Sequence, residues 1–239
     1  MKTSFTYLGK NSLDFGIRVE EGITFESPER DVEFVEIPGR DGDIGIDNNR
    51  LKSINKSFPV TIFPLPNKTI AQQATDISNW LKTKTGNVLF DVSNEPDYAY
   101  FGFYYEQYNV EKFFKVYGRA VLNFKIQPYK FLKSGLTPLA SPASLSNPTT
   151  RDARPLITIK GTGNITLQIG SEKLTLKGVD SGVVIDSLKQ VVTNLAGTAP
   201  AWDKVTSYPL PVIKPGSQAV LTTGTITELK ITPRYEVIV

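Results

Sequence analysis

Residues 116–127 read VYGRAVLNFKIQ and alternate between two sets of side chains. One set is apolar apart from one glycine, and the other is mixed and largely polar. A period of two over about a dozen residues is typical of a long β-strand with one face in a core and the other toward solvent. The inward set is Val116, Gly118, Ala120, Leu122, Phe124 and Ile126. This stretch predicts that the chain is built mainly on β-sheet.

The rest of the first half carries shorter strand patterns around one helix. The strands are predicted at 32–37, 57–63, 87–92 and 98–105. Thr69, followed three residues later by Gln72, is a capping-box pattern that begins a helix. An apolar stripe then recurs at helical spacing, formed by Ile70, Ala74, Ile77, Trp80 and Leu81. Gly86 is the predicted stop, and Trp80 is predicted to anchor the helix in the core.

Composition changes between residues 133 and 150. All 13 phenylalanines lie at or before Phe131, whereas Val, Ile, Leu and Thr dominate beyond it. The segment in between has three prolines and four serines without an apolar period, which is typical of a linker. We therefore predict an N-terminal domain at 1–133, a linker at 134–149 and a C-terminal domain at 150–239.

The second half is rich in short strand patterns separated by glycines. The strands are predicted at 156–160, 165–169, 173–176, 182–185, 218–221, 225–231 and 235–239. Gly161 and Gly163 are interpreted as part of a turn between the first two of them. Many short strands without a helical period favour an all-β sandwich. The predicted fold class is mainly β, with a β-rich N-terminal domain that includes one helix and a C-terminal β-sandwich.

Composition also excludes several chemistries. The chain has no cysteine and no histidine, which removes disulfides, Ser-His-Asp and Cys-His catalysis and the usual zinc sites. Its net charge of +3 is too small to argue for a nucleic-acid partner. No apolar run approaches the roughly 20 residues that span a bilayer, and the first residues lack the apolar core of a secretory signal. We predict a non-enzymatic protein without cofactor or metal.

The richest polar stretch, at 38–49, fails as a calcium-binding motif. A calcium loop that begins at Asp41 needs Asp or Asn at its fifth position, Gly at its sixth and Glu at its twelfth. Those positions hold Gly45, Ile46 and Lys52. We predict an exposed loop in which glycines adopt positive φ.

Aromatic residues crowd the stretch 98–108, and two interpretations of them are open. Exposed tyrosines are typical of protein or sugar contact surfaces, so one face of this strand could be an interface. Alternatively, both faces are buried within one domain. On the first interpretation, the interface residues are Tyr98, Tyr100, Tyr104, Tyr105 and Tyr108.

Short motifs follow one another in a characteristic order along nearly the whole chain. In the first half they are DFG at 14–16, IPGRDG at 37–42, NWL at 79–81, LFD at 89–91, EPD at 95–97 and FKIQPY at 124–129. In the second half they are NP at 147–148, ARP at 153–155, ITIKGTG at 157–163, VIDS at 184–187, LPVIKPG at 210–216 and ITPRY at 231–235. In this order they resemble the siphophage distal tail protein (Dit) family. The sequence departs from the family at 217–220, where relatives often carry an Asn-rich aromatic strand and this chain has SQAV.

The resemblance implies an N-terminal domain that closes a homo-hexameric ring and a C-terminal domain that is a galectin-like β-sandwich. The ring would lie in the virion at the tail tip, after assembly in the host cytoplasm. Its implied partners are the tail tube protein, the tip fibre or lysin-bearing protein, and the receptor-binding or tape-measure protein. A cyclic ring requires a heterologous interface, in which one patch meets a different patch on the neighbour.

Two other functions stay open on the residues alone. The sandwich-like second half could be a carbohydrate-binding module for host cell-wall glycans. Its aromatic residues are Trp202, Tyr208 and Tyr235, and Trp202 is the best candidate platform because it lies in a loop-like segment. A carboxylate-based hydrolase would need two acids that face one pocket roughly 5 to 10 Å apart.

Overall fold

The computed structural model describes residues 3–20, 26–113 and 117–239, which fall into two compact units. The first unit holds Met1–Lys130 and Ile238–Val239, and the second holds Phe131–Val237. β-Strands dominate both units, and the described residues contain one α-helix. The predicted mainly-β fold class is confirmed.

The first unit is built on one large sheet and one helix. Its strands are β1 Phe5–Tyr7, β2 Lys10–Asn11, β3 Ile17–Val19, β4 Arg30–Val35, β5 Ile44–Leu51, β6 Ile54–Ile62, β7 Val88–Val92, β8 Tyr98–Tyr104, β9 Glu111–Phe113 and β10 Tyr117–Leu132, and its helix is α1 Ile70–Leu81. The order in the main sheet is β2-β1-β7-β8-β10-β6-β3, and β9 also pairs with β10. β4 and β5 pair only with each other, as a separate two-stranded sheet.

Strand β10 confirms the prediction for 116–127, although Val116 lies outside the described residues. Burial alternates along the strand, and the predicted inward residues from Gly118 to Ile126 are all buried. Its antiparallel register with β6 is unbroken from the pair Gly118 and Ile62 to the pair Ile126 and Ile54. Because nothing shifts this register, the same face of β10 stays in the core along that whole length.

Phe124 lies at the centre of an aromatic core. Its ring centroid lies 5.1 to 5.6 Å from those of five other rings, which belong to Phe5, Tyr7, Phe58, Phe90 and Tyr104. Edge-to-face and offset stacking at these distances is favourable beyond simple burial. The concentration of phenylalanine in the first half therefore reflects a core that is filled mainly with rings.

Helix α1 is predicted correctly at its start and in its anchor. Both hydrogen bonds of the predicted capping box are present. Trp80 is buried, and its Nε1 donates to the carbonyl oxygen of Tyr7 at 3.0 Å. The helix ends at Leu81, before the predicted stop at Gly86. The hydroxyl of Thr83 donates to the carbonyl oxygen of Asn79 in the last turn at 2.5 Å, which satisfies an acceptor there.

The second unit is a β-sandwich assembled around two long strands. Its strands are β11 Leu139–Ala140, β12 Ser144–Asn147, β13 Leu156–Ile169, β14 Glu172–Val179, β15 Gly182–Asp186, β16 Val191–Asn194 and β17 Gly216–Thr232. The last strand of the chain, β18 Glu236–Ile238, pairs with β10 in the main sheet. β13 and β17 pair along their length, with register shifts near their middles. The first half of β13 pairs with β15 and the second half with β14, while both halves contribute to one core cluster. The predicted sandwich is confirmed.

The two long strands correct part of the prediction. It divided each of them into two strands, at 156–160 and 165–169 and at 218–221 and 225–231. A Cβ atom on Gly161 would lie 2.3 Å from the carbonyl oxygen of Thr225, and one on Gly224 would lie 2.3 Å from that of Asn164. These glycines therefore permit close backbone approach inside a bulged strand pair and do not form a turn between strands.

Residues 134–149, predicted as a linker, contain strands β11 and β12, which both pair with β17. Leu145 is buried in the core of the second unit, and the amide of Asn147 donates to the carbonyl oxygen of Ile213 at 2.9 Å. β12 has the sequence SLSN, in which Leu145 is the one apolar residue, so its composition resembles that of a loop. β16, at Val191–Asn194, is likewise absent from the predicted strands.

Candidate interaction surfaces

Strands β4 and β5 form a hairpin, called the β4–β5 arm below, that exposes apolar side chains. Phe34 is 69% exposed and Ile46 is 49% exposed, and Val35 and Ile37 are also exposed. The sequence predicted a strand at 32–37 but no partner for it. A two-stranded hairpin alone is marginally stable in water, and clustered exposed apolar residues are typical of an interaction surface.

Ion pairs support the β4–β5 arm where it joins the rest of the unit. Nη1 of Arg30 lies 2.5 Å from Oδ2 of Asp47, and Nε of Arg50 lies 2.5 Å from Oδ2 of Asp31. The hydrogen bond from Arg30 holds the pKa of Asp47 below its ordinary value. One carboxylate of the rejected calcium motif thus has an arginine partner. Gly39 and Gly42 at the tip adopt the predicted positive φ, whereas residues 44–49 of the predicted loop are part of strand β5.

The predicted tyrosine interface divides into buried and accessible members. Tyr100 and Tyr104 are buried in the core of the first unit, so the expectation that they present rings to a neighbour is wrong. Their positions on β8 share one face with the buried Gly102, and the sheet covers that face. Tyr98 and Tyr108 are half-buried, whereas Tyr105, just beyond the end of β8, is 51% exposed.

The accessible tyrosines are held by specific contacts. The hydroxyl of Tyr108 donates to the carbonyl oxygen of Ala74 at 2.6 Å, which ties the segment after β8 to helix α1. The hydroxyl of Tyr105 donates to Glu106 at 2.8 Å, and Glu106 also accepts from the amide of Asn123 at 2.8 Å. Hydrogen bonds from Asn123 and Tyr105 lower the pKa of Glu106. Tyr105 is the member of the predicted set most available to a partner.

A buried polar cluster explains why Tyr100 faces inward. Its hydroxyl donates to Glu95, and Nζ of Lys130 donates to the other carboxylate oxygen of Glu95 at 2.5 Å. Burial acts to raise the pKa of Glu95, but the hydrogen bonds from Lys130 and Tyr100 outweigh it and hold this pKa below its ordinary value. Burial lowers the pKa of Lys56, whose Nζ lies 5.0 Å from the centre of the Tyr100 ring.

The face of the main sheet opposite the aromatic core carries a groove of about 360 Å³. We call it the outer groove, and it is lined by Glu20, Pro59, Gln107, Tyr108, Asn109, Glu111, Arg119, Ala120 and Val121. Val121 is 49% exposed and lies opposite Pro59 in the register of β10 with β6. Nε of Arg119 lies 3.4 Å from Glu20, which also accepts from Thr61 at 2.6 Å. The lining of the outer groove therefore combines the apolar Pro59, Ala120 and Val121 with one arginine and two carboxylates.

Acidic residues in a second pocket of the first unit have structural partners. This pocket, of about 300 Å³, lies beside helix α1 and includes Asp14 and Asp76. Asp14 accepts from the backbone N–H of Asn11 at 3.1 Å, as part of a capping box, and Asp76 pairs with Lys68 at 2.6 Å. Within residues 3–20, 26–113 and 117–239, no three acidic residues are grouped closely enough to hold a metal ion.

The aromatic residues of the second unit differ in accessibility. Tyr235 is buried and so is unavailable as a sugar platform. Trp202 opens a short 3₁₀ turn at Trp202–Lys204 and is 38% exposed. Tyr208 is 77% exposed and so is more accessible than Trp202, the candidate platform favoured in the sequence analysis. In the part of the chain that the structure describes, no helix has the length and hydropathy needed to cross a membrane.

Comparison with known proteins identifies the fold. No protein-family model matches the sequence. No curated protein matches it either. Among solved structures, the chain is similar to the Dit protein (gp 19.1) of phage SPP1, described as a paradigm of the hub adsorption apparatus in phages that infect Gram-positive bacteria. The two structures align with a TM-score of 0.69 at 18% sequence identity, over 97% of this chain and 98% of that one. The predicted resemblance to the distal tail proteins is confirmed at the level of the fold.

Proposed function

We propose that this chain is a structural component of a bacteriophage or prophage tail tip, where six copies form a ring that joins the tail tube to the host-adsorption apparatus. The observation that carries the proposal is the similarity to the SPP1 hub protein, which extends over both units and leaves almost none of either chain unmatched. A match of this extent covers both units in the same order along the chain. Similarity confined to one sandwich domain would cover only part of the chain.

The exposed surfaces of the first unit support an assembling role. The β4–β5 arm and the outer groove are two different apolar surfaces on one unit, and a cyclic ring needs two different patches that meet. Tyr98, Tyr105 and Tyr108 are the members of the predicted tyrosine set that retain some accessibility for such contacts. The chain acts in this role without catalysis, in the virion, and with the tail tube protein and a tip fibre or lysin-bearing protein as its neighbours.

The size of the full-length protein in solution tests the proposal. We expect a species of about six times the 26.4 kDa chain mass, in the purified protein at high concentration or after addition of the tail tube protein from the same phage. Mass photometry measures the copy number, and negative-stain electron microscopy shows whether the particle is annular. A chain that stays monomeric in both cases and binds neither the tube nor the tip protein would contradict the proposal.

The exposed Tyr208 favours one alternative, a carbohydrate-binding role for the second unit. Aromatic side chains exposed on a loop provide a platform for sugar rings, and their polar ends can bind hydroxyl groups. A glycan array probed with the full-length protein, beside a Tyr208→Ala variant, tests this role. Binding that the variant loses would support the alternative, and a silent array would dismiss it.

A further inference from the structure

The tip of the β4–β5 arm is the part of the rejected calcium motif to which the proposed function gives no role. The ladder between the two strands ends at the pair Val35 and Ile44, so residues 36–43 form a loop beyond it. Every residue of this loop is exposed. Within the loop, the backbone N–H of Arg40 donates to the carbonyl oxygen of Ile37 at 3.1 Å. The side chains of the loop therefore lie in solvent, outside any core.

Asp41 and Gly42 are adjacent in this loop, and this pair of residue types has a chemistry of its own. The chain contains one Asp-Gly sequence and no Asn-Gly sequence. The backbone nitrogen that follows an aspartate can attack the side-chain carboxyl carbon and close a five-membered ring, a reaction favoured by the proximity of the two groups. A side chain on the second residue hinders this attack, and glycine has none. The pair is therefore a site at which the backbone can rearrange.

The surroundings of both reacting groups are open in the structure. A Cβ atom on Gly42 would meet nothing within 4 Å, and this residue has φ +77°. Among the described residues, no hydrogen bond is shown for its N–H, which lies outside the strand ladder. The ion pairs of the described part of the arm use Asp31 and Asp47 and not Asp41. The nitrogen and the carboxyl group can therefore meet without the loss of a contact.

One of the two Asp-Ser sequences of the chain is restrained on both sides of the bond. Asp186 is buried, and its Oδ1 lies 2.7 Å from Nη1 of Arg234. The N–H of Ser187 donates to the carbonyl oxygen of Pro155 at 3.0 Å. Both reacting groups are thus held apart by the fold, and we expect this position to be inert in the folded protein.

The other Asp-Ser sequence is a closer comparison with the loop. Asp180 is exposed, as Asp41 is, but its carboxylate lies 3.3 Å from Nζ of Lys204. The residue that follows is Ser181, whose side chain crowds the attacking nitrogen. This position shares the exposure of Asp41 and lacks its two other advantages.

We propose that Asp41 and Gly42 form a site of spontaneous isoaspartate formation at the tip of the arm. The nitrogen of Gly42 bonds to Cγ of Asp41, and its proton leaves with the hydroxyl of the carboxylic acid as water, which yields a succinimide. Water then adds to one of the two ring carbonyls. Opening at Cγ restores aspartate, whereas opening at the backbone carbonyl carbon of Asp41 leaves a main chain that runs through Cβ and Cγ. The water released in the first step is consumed in the second, and no oxidant or reductant takes part.

The product has the mass of the original chain but a different backbone. The main chain gains one atom, and the free carboxylate is attached to Cα. The loop between β4 and β5 is longer by that atom, while the strand pairs up to Val35 and Ile44 lie outside the rearranged bond. The modification therefore changes the tip of the arm, and it does not depend on the proposed ring function.

Isotope incorporation into the full-length protein tests the proposal directly. In water labelled with heavy oxygen, each opening of the succinimide leaves one heavy atom in residue 41, whichever carbonyl is attacked. The folded protein is incubated at neutral pH, transferred to ordinary water, digested with trypsin and analysed by mass spectrometry. We expect heavy oxygen at Asp41, less at Asp180, and none at Asp186.

Enzymatic methylation supplies a second, independent measurement. Protein isoaspartate methyltransferase transfers a methyl group from S-adenosylmethionine to the carboxylate of isoaspartate. Methylation of the incubated protein should be lost in Asp41→Glu, which keeps the charge but would need a larger and less favoured ring. The matched control Asp180→Glu should be methylated as the wild type is. Both positions are exposed, so urea unfolding followed by tryptophan fluorescence should be unchanged in both variants.

The outcomes decide the inference without involving assembly. If heavy oxygen appears at Asp41 no faster than at Asp180, or if Asp41→Glu is methylated as strongly as the wild type, the inference is wrong. If the label reaches Asp41 only when the protein is unfolded in urea, the folded loop restrains the pair, which also overturns the inference. The ring function stands in each of these cases, because its own test is the size of the assembled particle.

Discussion

Replacing Phe124 by alanine should destabilise the first unit more than any other single truncation on β10. The side chain is fully buried, and its ring contacts five other rings at centroid distances of 5.1 to 5.6 Å. A buried Phe→Ala change costs about 3–5 kcal/mol, and each aromatic pair contributes roughly 0.5–1.5 kcal/mol beyond burial. Since the surrounding rings can relax only in part, we expect a loss of about 4–5 kcal/mol in the free energy of unfolding.

Urea titration followed by tryptophan fluorescence measures this loss. The chain has two tryptophans, Trp80 in the first unit and Trp202 in the second, so a Trp202→Phe background leaves Trp80 as the only reporter. Val121→Ala, on the outer face of the same strand, is the matched control and should change stability by no more than about 0.5 kcal/mol. A loss below about 2 kcal/mol for Phe124→Ala, or an equal loss in the control, would refute the view that the core is organised around this ring.

Three further changes test other contacts. Glu95→Gln should cost about 2 kcal/mol or more at pH 7, because it leaves Lys130 without its buried anion. The lowered pKa of Glu95 contributes stability that is present above its ordinary value of 4.5 and is lost as pH falls through the pKa of the folded state. The free energy of unfolding should therefore fall less on acidification in this variant than in the wild type. An equal fall in both proteins would show that the cluster is unimportant. Arg154→Met removes both hydrogen bonds to the buried Glu236, and thermal unfolding should show a loss of at least about 2 kcal/mol. Gly224→Ala, at φ +99°, should cost about 1–3 kcal/mol more than Gly178→Ala, which has open space around it, and equal melting temperatures would contradict the close backbone approach.

The elements predicted well are those in which burial selects side chains. Along β10, every second residue from Gly118 to Ile126 faces the core, so the period of two is visible in the sequence. Helix α1 has one buried stripe and a capping box, and both leave sequence patterns that depend only on local spacing. Its buried Gln73, whose amide donates to the carbonyl oxygen of Phe63 at 2.9 Å, was not predicted because polar residues in a helix are usually exposed.

The elements predicted poorly depend on contacts distant in sequence. β5 includes Asp47, Asn48 and Asn49 and has no buried face, so no apolar period reveals it. Whether a tyrosine of β8 faces the core or solvent depends on which face the sheet covers, and the sequence contains aromatic residues on both faces. The close approach of β13 and β17 at Gly161 is likewise set by a strand more than 60 residues away.

The β4–β5 arm has a consequence for the solubility of the chain. An exposed pair of strands with apolar side chains is a template for edge-to-edge aggregation. Glu33 and Glu36 flank Phe34 and Val35, and charges that flank an apolar strand segment act as gatekeepers that oppose β-stacking between like chains. Replacing both glutamates by glutamine should therefore promote aggregation of the protein.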